Sequence, residues 1–129
     1  MTLLILVVDD EDDVEALFRQ QFRHDLRAGR FIMDFVQSAA AALERISDAS
    51  DVSLILILSD INMPGMDGLA LVRCVRDEAL GGADLPIVMI TTEGGLERVQ
   101  EALAAGANDY LRKPFTSDQL HKKITPFVR

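Results

Sequence analysis

Three short apolar runs punctuate the chain, at residues 3–8 (LLILVV), 54–58 (LILIL) and 87–90 (IVMI). Each stops against a polar pair: Asp9-Asp10, Ser59-Asp60 and Thr91-Thr92. None alternates apolar with polar, so they predict strands buried on both faces, as in a parallel sheet covered by helices. Two weaker segments complete the set. Residues 31–36 (FIMDFV) carry one polar interruption, which suits an edge strand, and residues 109–112 (DYLR) are short and amphipathic.

Helical spacing fills the gaps. Val14, Leu17, Phe18 and Phe22 fall on one stripe, and Ser38 stands where it can cap an Ala-rich helix over 39–46. Asp67-Gly68 opens a third helix over 69–79, with Leu69, Val72 and Val75 on one face. Leu96, Val99 and Leu103 mark a fourth, closed by Gly106 at the C′ position, and Leu120, Ile124 and Phe127 a fifth, shortened by Pro126. The stripes are core positions. Five β-α units in succession predict a parallel sheet with right-handed crossovers, with ligands bound beyond the carboxyl ends of the strands.

Composition narrows the function classes. The 129 residues read as one domain, 1–129, without repeats or linkers. With 21 acids against 13 bases the net charge is −8, which argues against a direct nucleic-acid partner, although RHDLRAGR (23–30) and LRKP (111–114) are local basic spots. The single cysteine, Cys74, allows no internal disulfide and reads as a semi-buried helix filler. The apolar start is too short for a signal peptide and lacks a basic flank, and no run approaches a membrane span. A soluble, cytoplasmic protein is expected. His24 and His121 lack metal-ligand partners at helical spacing and read as solvated surface.

The strand ends carry the chemistry. In a parallel sheet Asp9-Asp10, Asp60, Thr91-Thr92 and Lys113 all lie on one edge, although they are far apart in sequence. Three carboxylates gathered there repel, and a hard divalent cation, Mg²⁺ rather than one needing an all-protein cage, resolves the conflict. Asp60 is then placed to act as a nucleophile forming an aspartyl-phosphate. Lys113 and the Thr91 hydroxyl are placed to cover phosphoryl oxygens beside the metal. Each residue alone is weak; their joint placement at four strand ends is specific.

Taken together, ILVVDDE, LILSDINMPGMDGL, IVMITTE and AAGANDYLRKPF resemble, in order and spacing, the receiver domain of two-component response regulators, the CheY-like superfamily. The resemblance runs from about residue 3 to 125. It implies a flavodoxin-like (βα)5 fold, a doubly wound five-stranded parallel sheet of order 2-1-3-4-5 with helices on both faces. It also implies that Asp60 accepts a phosphoryl group from a histidine kinase's phosphohistidine, and that the domain is a signalling module, not an enzyme on other substrates. Mg²⁺ would be bound by Asp10 directly, by Asp9 mainly through water, by Asp60 and by the Asn62 backbone carbonyl. Thr91 and Tyr110 take the switch positions and Lys113 the phosphate contact, and a cis Lys113–Pro114 peptide is implied. Asn62, Thr92 and Glu93 sit where relatives tune phosphoryl lifetime, and Gly94-Gly95 reads as a hinge or a plain loop.

The partners implied are a sensor kinase or phosphotransfer protein and a downstream protein bound by the face of the fourth helix, fifth strand and fifth helix. A phosphorylation-dependent homodimer through that face stays open. A magnesium-dependent phosphatase using DIN (60–62) lacks a second acid at position 62 and any cap insertion. Nucleotide and flavin roles lack a glycine-rich phosphate motif and stacking aromatics. A non-phosphorylated docking pseudo-receiver conflicts with the intact Asp9, Asp10, Asp60, Thr91 and Lys113. Met1 and the lack of a C-terminal linker favour a stand-alone regulator. Kinase, signal and target, whether a chemotaxis motor, a phosphorelay or another, stay open.

Overall fold

A computed structural model describes residues 2–11, 13–47, 52–61, 68–77, 85–91, 96–113 and 115–127. Five strands, β1 (Thr2–Val8), β2 (Ile32–Val36), β3 (Val52–Asp60), β4 (Ile87–Thr91) and β5 (Asp109–Arg112), form one parallel sheet in the order β2-β1-β3-β4-β5. This is the doubly wound order expected. The chain runs outward from β1 to β2 and then returns to build β3, β4 and β5 on the other side. The switch point therefore lies between the ends of β1 and β3.

The uninterrupted apolar runs have a direct cause. Successive strand side chains point to opposite faces, and here both faces are covered. Leu6, Val8, Ile57, Ile87 and Met89 point to one side, against α3 (Ala39–Ser47), α4 (Gly68–Arg76) and α5 (Leu96–Ala105). Ile5, Val7, Leu56, Leu58, Val88, Ile90 and Leu111 point to the other, against α1 (Val14–Gln21) and α6 (Ser117–Ile124). Leu69, Leu71, Val72 and Val75 give α4 a fully buried stripe, matching the face read from sequence. The register of β1 on β3 shifts between Leu4 and Ile5, so β3 carries one extra residue there.

Local chemistry sets the helix ends. Ser38 Oγ accepts from the Ala41 N–H at 3.1 Å, the expected cap. Thr116 and Gln119 form a reciprocal capping box on α6. Gly106, with φ +124°, ends α5 in a Schellman pattern: its N–H bonds the Leu103 carbonyl and the Ala107 N–H bonds the Ala102 carbonyl.

Four readings are corrected. The first helix breaks at Phe22 (φ −109°, ψ 20°), leaving a separate short helix α2 (Arg23–Arg27) that carries His24. Leu17 and Leu103, read as core, stand 44% and 38% exposed, because periodicity defines a stripe but not which margin meets the sheet. His121, read as solvated, is half-buried: its ring stacks on Phe22 with centroids 4.5 Å apart and its Nε2 lies 3.3 Å from the Gln21 carbonyl oxygen. α6 stops at Ile124, and residues 125–127 continue as a single 3₁₀ turn.

Candidate functional site

Asp9 follows β1 and Asp60 is the last residue of β3, so the switch point sets two acids side by side. Both are buried, at 4% and 7% exposure, and Asp10 beside them is open to solvent. One carboxylate oxygen from each of the three lies within 4.8 Å of the others. Backbone bonds hold the cluster in place. The Asp9 N–H donates to the Val36 carbonyl at 3.1 Å, and Asp9 Oδ1 accepts from the Glu11 N–H at 3.0 Å. The Ile61 N–H donates to the Ile90 carbonyl, and Ser59 Oγ donates to the Asp60 carbonyl at 3.1 Å.

Lys113 enters from the end of β5. Its Nζ donates to Asp9 Oδ2 at 3.2 Å and lies 4.0 Å from Asp60 Oδ2. Burial pulls the ammonium's pKa down, but the Asp9 charge and hydrogen bond, with Asp60 and Glu11 behind them, overcome this and hold it above its ordinary value. Thr91 completes the edge at the end of β4, 1% exposed, with its carbonyl accepting from the Lys113 N–H at 2.6 Å. One cation among three carboxylates leaves a local excess of negative charge. An all-oxygen donor set of this kind, partly buried and partly open, fits a hard divalent cation that keeps some of its waters.

Gly68 belongs to the site and was read from sequence only as opening the third helix with Asp67. Its N–H bonds the Ile61 carbonyl at 3.1 Å, closing the loop that leaves β3. A Cβ there would stand 2.5 Å from the Asp60 carbonyl oxygen and 2.8 Å from both Ile61 Cα and Met89 Cε. Only a hydrogen fits between α4 and the backbone of Asp60. Further off, Tyr110 is half-buried on β5; its N–H donates to Asp109 Oδ1, and Lys123 lies over its ring at 5.8 Å while pairing with Asp109 at 2.9 Å. Asn62, Pro64, Gly65, Asp67, Thr92, Glu93, Gly94, Gly95 and Pro114 lie outside the described residues.

The profile of the response regulator receiver domain matches residues 5–125. The chain belongs to that family. The receiver domain is 37% identical over 120 residues to a chemotaxis protein CheY homolog of Campylobacter jejuni, covering 93% of this chain and 88% of that protein. It is 36% identical to the two-component response regulator PhoP of Pseudomonas aeruginosa, covering 97% of this chain and 51% of PhoP. Its fold superposes on chemotaxis protein CheY4 of Vibrio cholerae with a TM-score of 0.82 at 30% identity, over 98% of this chain and 99% of that one. The receiver domain of NtrX from Brucella abortus matches with a TM-score of 0.79 at 32% identity, over 96% and 97%. Among the described residues of this receiver domain, no helix is long and apolar enough to cross a membrane.

Proposed function

We propose that residues 1–129 act as a single phosphoryl-accepting switch, with Asp60 as the acceptor and a sensor histidine kinase or phosphotransfer protein as donor. The observation that carries this reading is the convergence of Asp9, Asp10 and Asp60, with Lys113 bridging Asp9 and Asp60. An Asp60 carboxylate oxygen attacks the phosphorus of the donor phosphohistidine in line. The N–P bond breaks and its electron pair stays on the imidazole. Mg²⁺, when held by Asp9, Asp10, Asp60 and the Asn62 carbonyl, supplies charge neutralisation at the phosphoryl oxygens.

The chain's own groups do the rest. Lys113 follows the new charge, exchanging part of its contact with Asp9 for the phosphoryl group. The Thr91 hydroxyl donates to another phosphoryl oxygen, and Tyr110 turns into the space it leaves. The face of α5, β5 and α6 is thereby repacked for a downstream protein or for a second copy of the chain. Asn62, Thr92 and Glu93 govern how readily water hydrolyses the acyl phosphate. The only chemistry catalysed is the domain's own phosphorylation and dephosphorylation, in the cytoplasm. Phosphorylation shifts an existing equilibrium by its differential affinity for the two states.

Intact mass after incubation with acetyl phosphate tests the reading. The expected result is a gain of one phosphoryl group that requires Mg²⁺ and is absent in Asp60→Asn. No gain from either acetyl phosphate or a phosphohistidine donor, with the fold intact, overturns it.

A further inference from the structure

The basic segment 23–30 plays no part in the switch described above. Arg23, His24 and Arg27 lie exposed on α2, and among the described residues neither Arg23 nor Arg27 has an ion-pair partner. The neighbouring arginines are engaged: Arg30 pairs with Asp25 at 2.9 Å, and Arg19 pairs with Glu15 at 2.9 Å and lies over the Phe35 ring at 5.0 Å. In a chain of net charge −8, two unpaired cations one helical turn apart form a local reversal of sign.

Arg23 borders a groove, with Arg27 one turn further along α2. Leu17, Gln20, Gln21, Arg23 and His24 line a shallow surface depression of about 400 Å³ where α1 breaks into α2. Leu17, one of the lining residues, is 44% exposed. The α1–α2 junction is held by His121, whose ring packs on Phe22 and whose Nε2 lies beside the Gln21 carbonyl.

We propose that this α1–α2 face docks an acidic segment of a partner polypeptide. Each feature selects part of that chemistry. Arg23, His24 and Arg27 ask for carboxylates and exposed Leu17 for an apolar side chain, a combination that a polypeptide segment supplies. The phosphates of a nucleic-acid backbone bring no apolar side chain to cover Leu17. An extended anionic surface would also meet the chain's net negative charge, whereas a short segment stays within about one Debye length, ~8 Å, of the patch.

The test is fluorescence anisotropy of a labelled Glu- and Leu-rich peptide on the unphosphorylated protein. Binding is expected to be saturable and weakened by salt. It should fall at least tenfold, about 1.4 kcal/mol, in Arg23→Glu/Arg27→Glu and by less in Arg23→Gln/Arg27→Gln. Circular dichroism checks that both variants fold, and the same peptide with Lys for Glu should not bind. Equal binding to the charge-reversed protein, no binding of the acidic peptide, or preferential capture by phosphatidylglycerol vesicles or duplex DNA would each overturn the inference.

Discussion

Replacing Asp60 by Asn should stabilise the fold when no divalent cation is present, although Asp60 sits at the centre of the site. Its carboxylate faces two others within 4.8 Å. At an effective dielectric of about 20, each such pair repels by about 3.5 kcal/mol. Against this stands attraction to Lys113 Nζ at 4.0 Å, worth about 4 kcal/mol on the same scale. Two repulsions outweigh one attraction, and the solvent exposure of Asp10 trims its share, leaving about 1–2 kcal/mol in favour of the neutral side chain. For a chain of this length that is a rise of roughly 4–7 °C in melting temperature.

Lys113→Met should move the other way. It leaves Asp9, 4% exposed, facing two carboxylates with no cation, at a cost of about 2–3 kcal/mol. Urea unfolding in EDTA at low salt measures both variants. Adding Mg²⁺ at about ten times its dissociation constant should stabilise wild type by about 1.4 kcal/mol, and Asp60→Asn by less. An Asp60→Asn protein less stable than wild type in EDTA, or Mg²⁺ acting equally on both, would refute the charge argument.

Three further outcomes follow from the geometry. Gly68→Ala should cost about 1–3 kcal/mol, since its Cβ meets the Asp60 carbonyl oxygen at 2.5 Å, and should slow phosphorylation by acetyl phosphate more than any fold defect explains. Arg76→Gln should cost about 2–3 kcal/mol by urea titration, because its guanidinium bonds the Gly106 carbonyl at 2.8 Å, the Leu85 carbonyl at 2.6 Å and Asn108 Oδ1 at 2.9 Å. The raised Lys113 pKa contributes stability that is complete below its ordinary value of 10.5 and is lost as pH climbs through the folded value. Wild type should therefore lose stability above about pH 10.5 by a step that Lys113→Met lacks, read from unfolding midpoints across that range.

What could be read ahead of the structure divides along physical lines. β1, β3 and β4 were legible because burial on both faces forbids polar residues, and the acids that follow mark where burial ends. Edge positions were legible too: β2 leaves Ile32 39% exposed while Met33 is 2% exposed, as its broken pattern implied. Asp9, Asp10, Asp60, Thr91 and Lys113 converge because parallel strands share a carboxyl edge, so connectivity alone brings them together.

The break at Phe22 has no proline or glycine to announce it. Arg76 gave no signal either, since two of its partners are backbone carbonyls 9 and 30 residues away, any residue offers a carbonyl, and the third, Asn108, is 32 residues away. The packing of His121 depends on where α6 crosses the α1–α2 junction, which periodicity along one helix does not encode. Gly68 looked like a helix start; its requirement is the close approach of the Asp60 backbone.

The central claim is that Asp60, among the chain's 21 acids, is the phosphoryl acceptor. Borohydride reduction of the phosphorylated protein converts an aspartyl phosphate to homoserine, and peptide mass mapping locates it. The account predicts homoserine at position 60 and nowhere else, dependent on Mg²⁺. Homoserine at Asp9 or Asp10, or label retained in Asp60→Asn, would contradict it.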